Sequence, residues 1–544
     1  MEQVGIYEVL ELGFLADGQD GNPHVTQSLD LTFRSPAGKA FQVAGFWEEG
    51  RHWKARFAPD EIGQWHWSSR SDDPGLAGRV GVFRVGEAAS ESLWRRHGPL
   101  AIHPSGRGFA HADGTPVFWL ADTAWAAPAH ATITEWQDYV ACRSRQGFNV
   151  VQINALPQWD ASGPALRQPF GETDGEVDPT RPDPAYFRFL DDIVRTAAKE
   201  GLVSAIVVLW FDNTASDNSD WTIKIPRRGP FTQKTAQLFA RYLTARYEAF
   251  GATWLVSGDS AFAEPEAMAL YDATAETIRR TSARRPVITA HLNGSTPPPL
   301  ALNDRGWLDY HMFQSCHYSD SAQRARLYAD EARRLLPHRP VLNGEPCYDH
   351  LRQMDQPPSG DRRFDRDDVR RVCWVSILAG ATAGLTYGAH GIWPWHRDGQ
   401  DYGPIHYGLP LDWRQALMLD SAKDMVRLKG FFLRLPWWEI EPASGITAVS
   451  GSLLATARTG QDDVVLAYVG EPSQLLLPAA LATGCSGAWF DPATGSWAKA
   501  RIAQTDAGWL VEPAQTAGDA VLELRRAQPN EAEEISTEEA DQNA

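Results

Sequence analysis

Cysteine, long apolar runs and basic charge are all scarce in this chain, and each shortage removes a class of protein. The five cysteines, Cys142, Cys316, Cys347, Cys373 and Cys485, are odd in number and show no C-x-x-C spacing. That argues against a disulfide framework and against a structural zinc site, so reduced thiols are expected. No apolar stretch approaches the ~18 residues that span a bilayer, and no membrane partner is expected. The N-terminal MEQVGIYEVLELGF lacks a basic segment followed by an apolar core and a small-residue cleavage site. The expected location is the cytoplasm, unless a leader preceded this sequence. A net charge of -18, without a concentrated field of Lys and Arg, argues against nucleic acid as a partner. Neither G-x-G-x-x-G nor G-x-x-x-x-G-K-[ST] occurs, which disfavours nucleotide folds, and the absence of a G-x-S-x-G elbow disfavours a Ser-His-Asp hydrolase.

What is present begins with 544 residues, more than one hydrophobic core of ~250–300 residues fills, so two or three domains are expected. Twenty-two tryptophans cluster toward the middle of the chain. Aromatic faces stack on the C–H face of a sugar ring while its hydroxyls stay free for polar partners. Most of these rings are expected in cores, and a minority against ligand.

Three textures follow one another. Residues 1–95 carry short alternating runs (VTQSLDLTFRS, FQVAGFW, HWKARFAP, QWHWSSRS, GRVGVFRV) between Gly, Pro and Asp turns, the pattern of a β-sandwich. Residues 438–526 return to it, and the acidic NEAEEISTEEADQNA within 527–544 is expected to be a disordered tail. Between them, residues 96–437 alternate apolar runs with amphipathic stretches. The runs are PVFWLADTAW, GFNVVQINAL, LVSAIVVLWFDN, ATWLVSGDS, PVITAHLNG, LDYHMFQSCHY, PVLNGEPCYD and AGLTYGAHGIW. Eight strands in strict alternation with helices predict an α/β fold, a (β/α)8 TIM barrel flanked by two β-sandwich domains.

In such a barrel the chemistry sits at the C-terminal strand ends. The polar and aromatic residues that close the eight runs are Asp122 and Trp125, Asn154, Trp210 and Asn213, Asp259, His291 and Asn293, Gln314 and His317, Glu345 and Tyr348, and Tyr387, His390, Trp393 and Trp395. Carboxylates, amides, imidazoles and aromatics converging on one face predict a carbohydrate site. Glycoside cleavage needs two carboxyl groups, one to protonate the leaving oxygen and one to attack or to activate water. Asp259 and Glu345 are the expected catalytic pair, with Asp259 also readable as a helix N-cap and Glu345 as a turn residue. Asp122 reads either as a ligand for substrate hydroxyls or as a helix cap, and is assigned to binding. Although His291, His317, His390 and His396 all fall in the upper half of the barrel, no H-E-x-x-H and no His pair on the first strand occur, so no metal and no other cofactor is expected.

FWLADTAW, GFNVVQINAL, WLVSGDS and VLNGEPCYD resemble the motifs of the apiosidase-like glycoside hydrolases. The resemblance extends over nearly the whole chain. GFWEEGRHWKARFAPDEIGQWHW is similar to the β-sandwich that often precedes that barrel, and the C-terminal region to the small β domain, sometimes named collagen-binding, that often follows it. The resemblance implies a catalytic aspartate and glutamate at Asp259 in SGDS and Glu345 in NGEP, and a substrate bearing a terminal sugar such as apiose. An oligosaccharide or small glycoside, cleaved with retention by Asp259 as acid/base and Glu345 as nucleophile, is the expected substrate. Two rivals stand beside it: a noncatalytic carbohydrate-binding barrel, and a lyase or isomerase, which would need a basic clamp that the strand ends do not supply. The segment from Pro157 to Pro184, rich in Gly, Pro and Asp, is expected to be a loop overhanging the site.

Overall fold

The computed structural model describes residues 2–18, 21–88, 96–214, 231–294, 296–357, 359–460 and 463–526. The expected acidic tail lies outside the described residues. At the centre is one sheet of eight parallel strands: β1 (Trp119–Thr123), β2 (Val150–Asn154), β3 (Val203–Trp210), β4 (Thr253–Gly258), β5 (Ile288–Thr289), β6 (His311–Gln314), β7 (Val341–Glu345) and β8 (Gly384–Tyr387). Their order is β5-β4-β3-β2-β1-β8-β7-β6. The two ends of that sheet meet through a single parallel bridge between His291 and Met312, so the sheet closes into a barrel.

Each strand feeds a helix: α1 (Ile133–Gln146), α2 (Pro184–Lys199), α3 (Gln233–Tyr247), α4 (Pro265–Thr281), α5 (Leu300–Asn303), α6 (Ser321–Arg334), α7 (Arg366–Leu378) and α8 (Ser421–Phe432). The helix ends have local causes. Thr132 and Glu135 form a capping box at the start of α1, and Gly147, at φ +94°, takes the left-handed conformation that ends it. The strands are buried along their whole length because both faces are covered. Trp119 and Ala121 point into the barrel, whereas Leu120 packs against the helices.

The segment from Pro157 to Pro184 departs from the expected irregular loop. It contains an antiparallel hairpin, Phe170–Thr173 paired with Glu176–Pro182. A further three-stranded antiparallel sheet (Leu100–Ile102, Phe109–His111, Pro116–Val117) leads into β1, and Leu100, Phe109 and Val117 join the inner barrel core.

Ahead of the barrel, a five-stranded and a three-stranded sheet enclose a core that includes Phe33, Trp53, Phe57 and Trp65. Behind it, a six-stranded and a four-stranded sheet enclose Val465, Leu475, Trp489 and Leu522. Both flanking units are joined to the barrel helices by buried ion clusters. Asp191 of α2 accepts from Arg56 of the N-terminal unit at 2.5 Å and from Arg246 of α3 at 2.7 and 3.0 Å. Arg246 also lies 3.0 Å from Glu48. At the other end Arg370 of α7 bonds Asp519 at 2.6 Å and Asp424 of α8 at 2.9 Å, and the Tyr468 hydroxyl donates to Asp519 at 2.7 Å.

Burial alone would raise the Asp191 carboxyl, but the two guanidinium groups outweigh it and hold the group well below the usual carboxylate range. Removing one member of such a cluster strands buried charge, at a cost of about 3–5 kcal/mol. Asp191→Ala is therefore expected to lower the unfolding temperature at pH 7 by several degrees. Because the folded pKa is depressed, the deficit is full above the ~3.9 of an unfolded aspartate and shrinks as pH falls below it. Calorimetry of both proteins between pH 7 and pH 3 checks this; a pH-independent deficit would mean that packing rather than charge is lost.

Candidate active site

Glu345 is the last residue of β7 and is buried. A glutamate at that depth is costly unless its charge is met, and two imidazoles lie against it. The Nε2 of His317 hydrogen-bonds Oε1 at 3.0 Å, whereas the Nε2 of His291, 3.3 Å from Oε2, is near but too poorly aligned for a hydrogen bond. The tautomers follow from the opposite nitrogens. The Tyr348 backbone N–H donates to Nδ1 of His317 at 3.3 Å, and that of Asp259 to Nδ1 of His291 at 3.4 Å. Both rings thus keep their proton on Nε2, facing the carboxylate. Burial raises the carboxyl pKa, but the two imidazoles more than offset it and hold Glu345 below its ordinary value, so it is ionised at neutral pH.

Asp259 follows β4 directly. Its Oδ1 accepts from the Gln314 amide of β6 at 2.6 Å and lies 3.7 Å from Nδ1 of His291. His291 therefore stands between the two carboxyl groups. One carboxylate oxygen of Asp259, one of Glu345 and a ring nitrogen of His291 all fall within 4.8 Å of one another. The backbone at Asp259 is left-handed, at φ +51°, a region that non-glycine residues enter at some cost. Phe262 (+51°), Cys316 (+63°), His350 (+66°) and Trp395 (+50°) share that conformation in the segments following β4, β6, β7 and β8.

Aromatic residues wall the pair. Trp125 donates its indole N–H to the Tyr348 hydroxyl at 2.8 Å, and its ring centroid lies 5.5 Å from Trp210 and 5.4 Å from His291. The Tyr348 ring lies tilted 4.5 Å from His317 and 6.1 Å from Trp393, which in turn stacks on His390. Asn154 Oδ1, Trp210 Nε1, His390 Nδ1 and Trp393 Nε1 are buried with no hydrogen-bond partner among the described residues. Unmet buried donors and acceptors of this kind are rare in proteins and call for a ligand or water. Asn213 and Asn293 serve their own turns, accepting from Trp210 N and Thr296 Oγ1. Asn213 also borders a cavity of about 530 Å³ beneath the hairpin, together with Gln158 and Trp159.

Three of the expected site residues face the other way. Asp122 is fully buried on the helix side of β1, where Arg143 (2.6 Å), Tyr139 (2.7 Å) and the Thr123 N–H (3.0 Å) occupy its oxygens. It anchors α1 and offers nothing to a substrate. Tyr387 likewise points outward and donates to Asp349 at 3.0 Å, and Trp395 stacks on Trp413 in the outer core. The cause is parity: side chains alternate along a strand, and the neighbours on each side of Asp122 and Tyr387 hold the inward positions. Sequence reasoning missed Asp160, Tyr402 and Tyr407, which follow β2 and β8 and belong to the same site. Asp160 is buried and close enough to Glu345 to feel its charge, and Tyr402 and Tyr407 pack against Trp393.

Residues 103–439 match the family described as apiosidase-like, catalytic domain. The chain belongs to the apiosidase-like family. Residues 3–72 of this apiosidase-like enzyme match a domain of unknown function, DUF5060, and no curated protein matches the chain. Among solved structures, one described as a glycoside hydrolase is 24% identical, with 80% of this chain and 99% of that one covered at a TM-score of 0.68. A glycoside hydrolase family 5 protein from Bacteroides vulgatus ATCC 8482 is 23% identical, covering 81% and 95% at 0.65. Another protein of that bacterium is 18% identical over 97% of this chain and 100% of that one, at 0.71. At these identities the likeness establishes the shared fold. Membership of the family makes the protein a glycosidase, with a carbohydrate as its substrate.

Asp259, His291 and Glu345 are near enough to share one cation. Either nitrogen of His291 would then have to give up the role described above. Dialysis of the apiosidase-like enzyme against a chelator is expected to leave activity and unfolding temperature unchanged, and a loss restored by a divalent cation would make these three residues metal ligands. Replacing His317 by Leu removes one of the donors that keep Glu345 ionised. Its pKa should rise, so the acid limb of the kcat/KM profile should move to higher pH, while the alkaline limb stays in place; an unmoved acid limb would separate His317 from the ionisation of Glu345.

Proposed function

We propose that the enzyme removes a terminal sugar, a furanose such as apiose or arabinose, from an oligosaccharide or small glycoside with retention of anomeric configuration. The observation that carries the retaining mechanism is the short span between Asp259 and Glu345, with oxygens within 4.8 Å across His291, while the terminal sugar is suggested by the family. Retaining glycosidases hold their carboxyl groups ~5–5.5 Å apart, whereas inverting ones need ~6.5–9.5 Å to admit a water.

In the first step Asp259 gives its proton to the glycosidic oxygen as the bond to the anomeric carbon breaks. The Glu345 carboxylate attacks that carbon from the opposite face, forming a glycosyl ester and releasing the aglycone. His317, through its hydrogen bond, and His291 beside it favour the ionised form of Glu345 and orient it until the attack. In the second step Asp259, now a carboxylate, takes a proton from water as the oxygen attacks the ester, which frees the sugar and restores both groups. Gln314, bonded to Asp259 and to the Leu292 carbonyl, fixes the acid's position through both steps.

A panel of aryl and natural glycosides, including apiosides and arabinofuranosides, tests the reading on the wild type, Glu345→Gln and Asp259→Asn. Glu345→Gln is expected to lose several orders of magnitude on every substrate. Asp259→Asn should lose about 10²–10⁴-fold on natural glycosides and much less on dinitrophenyl glycosides, whose leaving group needs no proton. Proton NMR of the first-formed sugar should show the anomer of the substrate. The opposite anomer would make the enzyme inverting. Full activity in both variants would remove these carboxyl groups from the chemistry, and glycan binding without cleavage in the wild type would favour the noncatalytic reading.

A further inference from the structure

Asp160 is a third carboxyl group in the site, and the steps above do not use it. It follows β2 on the turn that begins the Pro157–Pro184 segment and is 5% exposed. Gln158 donates to it, and Gln158 in turn accepts from the Asn154 side-chain amide, so the three side chains form one relay. The relay leaves two acceptors unmet. Asp160 Oδ1 and Asn154 Oδ1 are both buried without a hydrogen-bond partner among the described residues.

The surroundings narrow what can meet them. The neighbouring charges that act on Asp160 are those of Asp212 and Glu345, of its own sign, which disfavours an anionic ligand. An apolar ligand would seal off Oδ1 and leave its desolvation cost in place. The adjoining wall is aromatic: the charge of Asp160 acts on the phenols of Tyr402 and Tyr407, whose rings lie 6.5 and 5.8 Å from Trp393. A ligand with hydroxyls on one side and C–H groups on the other fits both halves. Burial first, and then the charges of Asp212 and Glu345, push the Asp160 carboxyl up to about 7, so that near neutrality it can donate to a hydroxyl as well as accept from one.

We infer that Asp160, with Asn154 linked to it through Gln158, binds a hydroxyl group of the sugar next to Glu345 and so selects which sugar the enzyme accepts. This rests on the glycosidase reading above but not on the identity of the sugar or on retention. Asp160 is a binding and positioning residue, since it takes part in neither bond exchange.

The test uses the full-length chain. On the 4-nitrophenyl glycoside that the wild type cleaves best, Asp160→Ala is expected to lower kcat/KM by about 10²-fold or more, as sites built around a hydroxyl do when the pairing is lost. Across the monodeoxy derivatives of that glycoside, the loss should shrink to within about threefold on the one lacking the bound hydroxyl. Asp160→Asn, which keeps the shape and an acceptor, should fall between. An equal loss on the parent and on every deoxy derivative would make the role structural and overturn the inference, as would no loss at all. If the wild type cleaves none of the glycosides, catalysis fails by itself and binding decides the rest: monosaccharides of the panel should raise the unfolding temperature of the wild type and not of Asp160→Ala. Equal stabilisation of both proteins overturns the inference, as does a wild type that no sugar stabilises. Stabilisation by calcium or magnesium in place of sugar, lost in Asp160→Ala, would reassign the position to a cation.

Discussion

A barrel has to close, and here one residue joins the edges of the sheet and stands between two carboxyl groups at the barrel mouth. The edges of the eight-stranded sheet meet at the bridge between His291 and Met312. The His291 N–H is also tied to the Ser257 carbonyl of β4, and its carbonyl accepts from the Ser257 hydroxyl. The imidazole on that tethered backbone then lies between Asp259 and Glu345. The distance between the two carboxyl groups is thereby set by the joint of the sheet itself, and loops have little say in it. A pair of carboxyl groups carried by strand ends and braced by β-sheet hydrogen bonds is held far more tightly than one carried by flexible segments.

That arrangement explains what could be read from the chain. The eight strands were legible because each is a short apolar run closed by a polar residue, and Glu345, His291, His317 and Gln314 sit where their strands end. The fate of Asp122 and Tyr387 was hidden by the same property. A strand covered on both faces shows no apolar–polar alternation, so the pattern of WLADT does not reveal which of Ala121, Asp122 and Thr123 faces inward. Arg143 was the missing sign, since a guanidinium buried in α1 needs a carboxylate on the neighbouring strand. Asp160, Tyr402 and Tyr407 escaped for another reason. They come from connecting segments, whose path depends on tertiary packing and leaves no periodic trace.

The flanking β units are more than appendages, because the ion clusters that join them lie on the helices behind the site. Arg56 and Glu48 reach α2 and α3, and Asp519 reaches α7 and, through Arg370, α8. Opening these contacts would leave buried charges short of a partner. The three units are therefore tied together through the outer helices of the barrel.

The left-handed backbone at Asp259, Phe262, Cys316, His350 and Trp395 has an evolutionary side. Each such residue costs about 1–3 kcal/mol relative to a relaxed conformation, and glycine would relieve it. At the buried rings of Phe262 and Trp395 the packing lost with glycine would outweigh that relief, so only at Asp259, whose side chain stands outside the core, do selection for heat resistance and selection for turnover pull in opposite directions. A lineage that drifts without its substrate should shed the tension there first, so a glycine at position 259 would record the loss of activity long before the barrel itself decays.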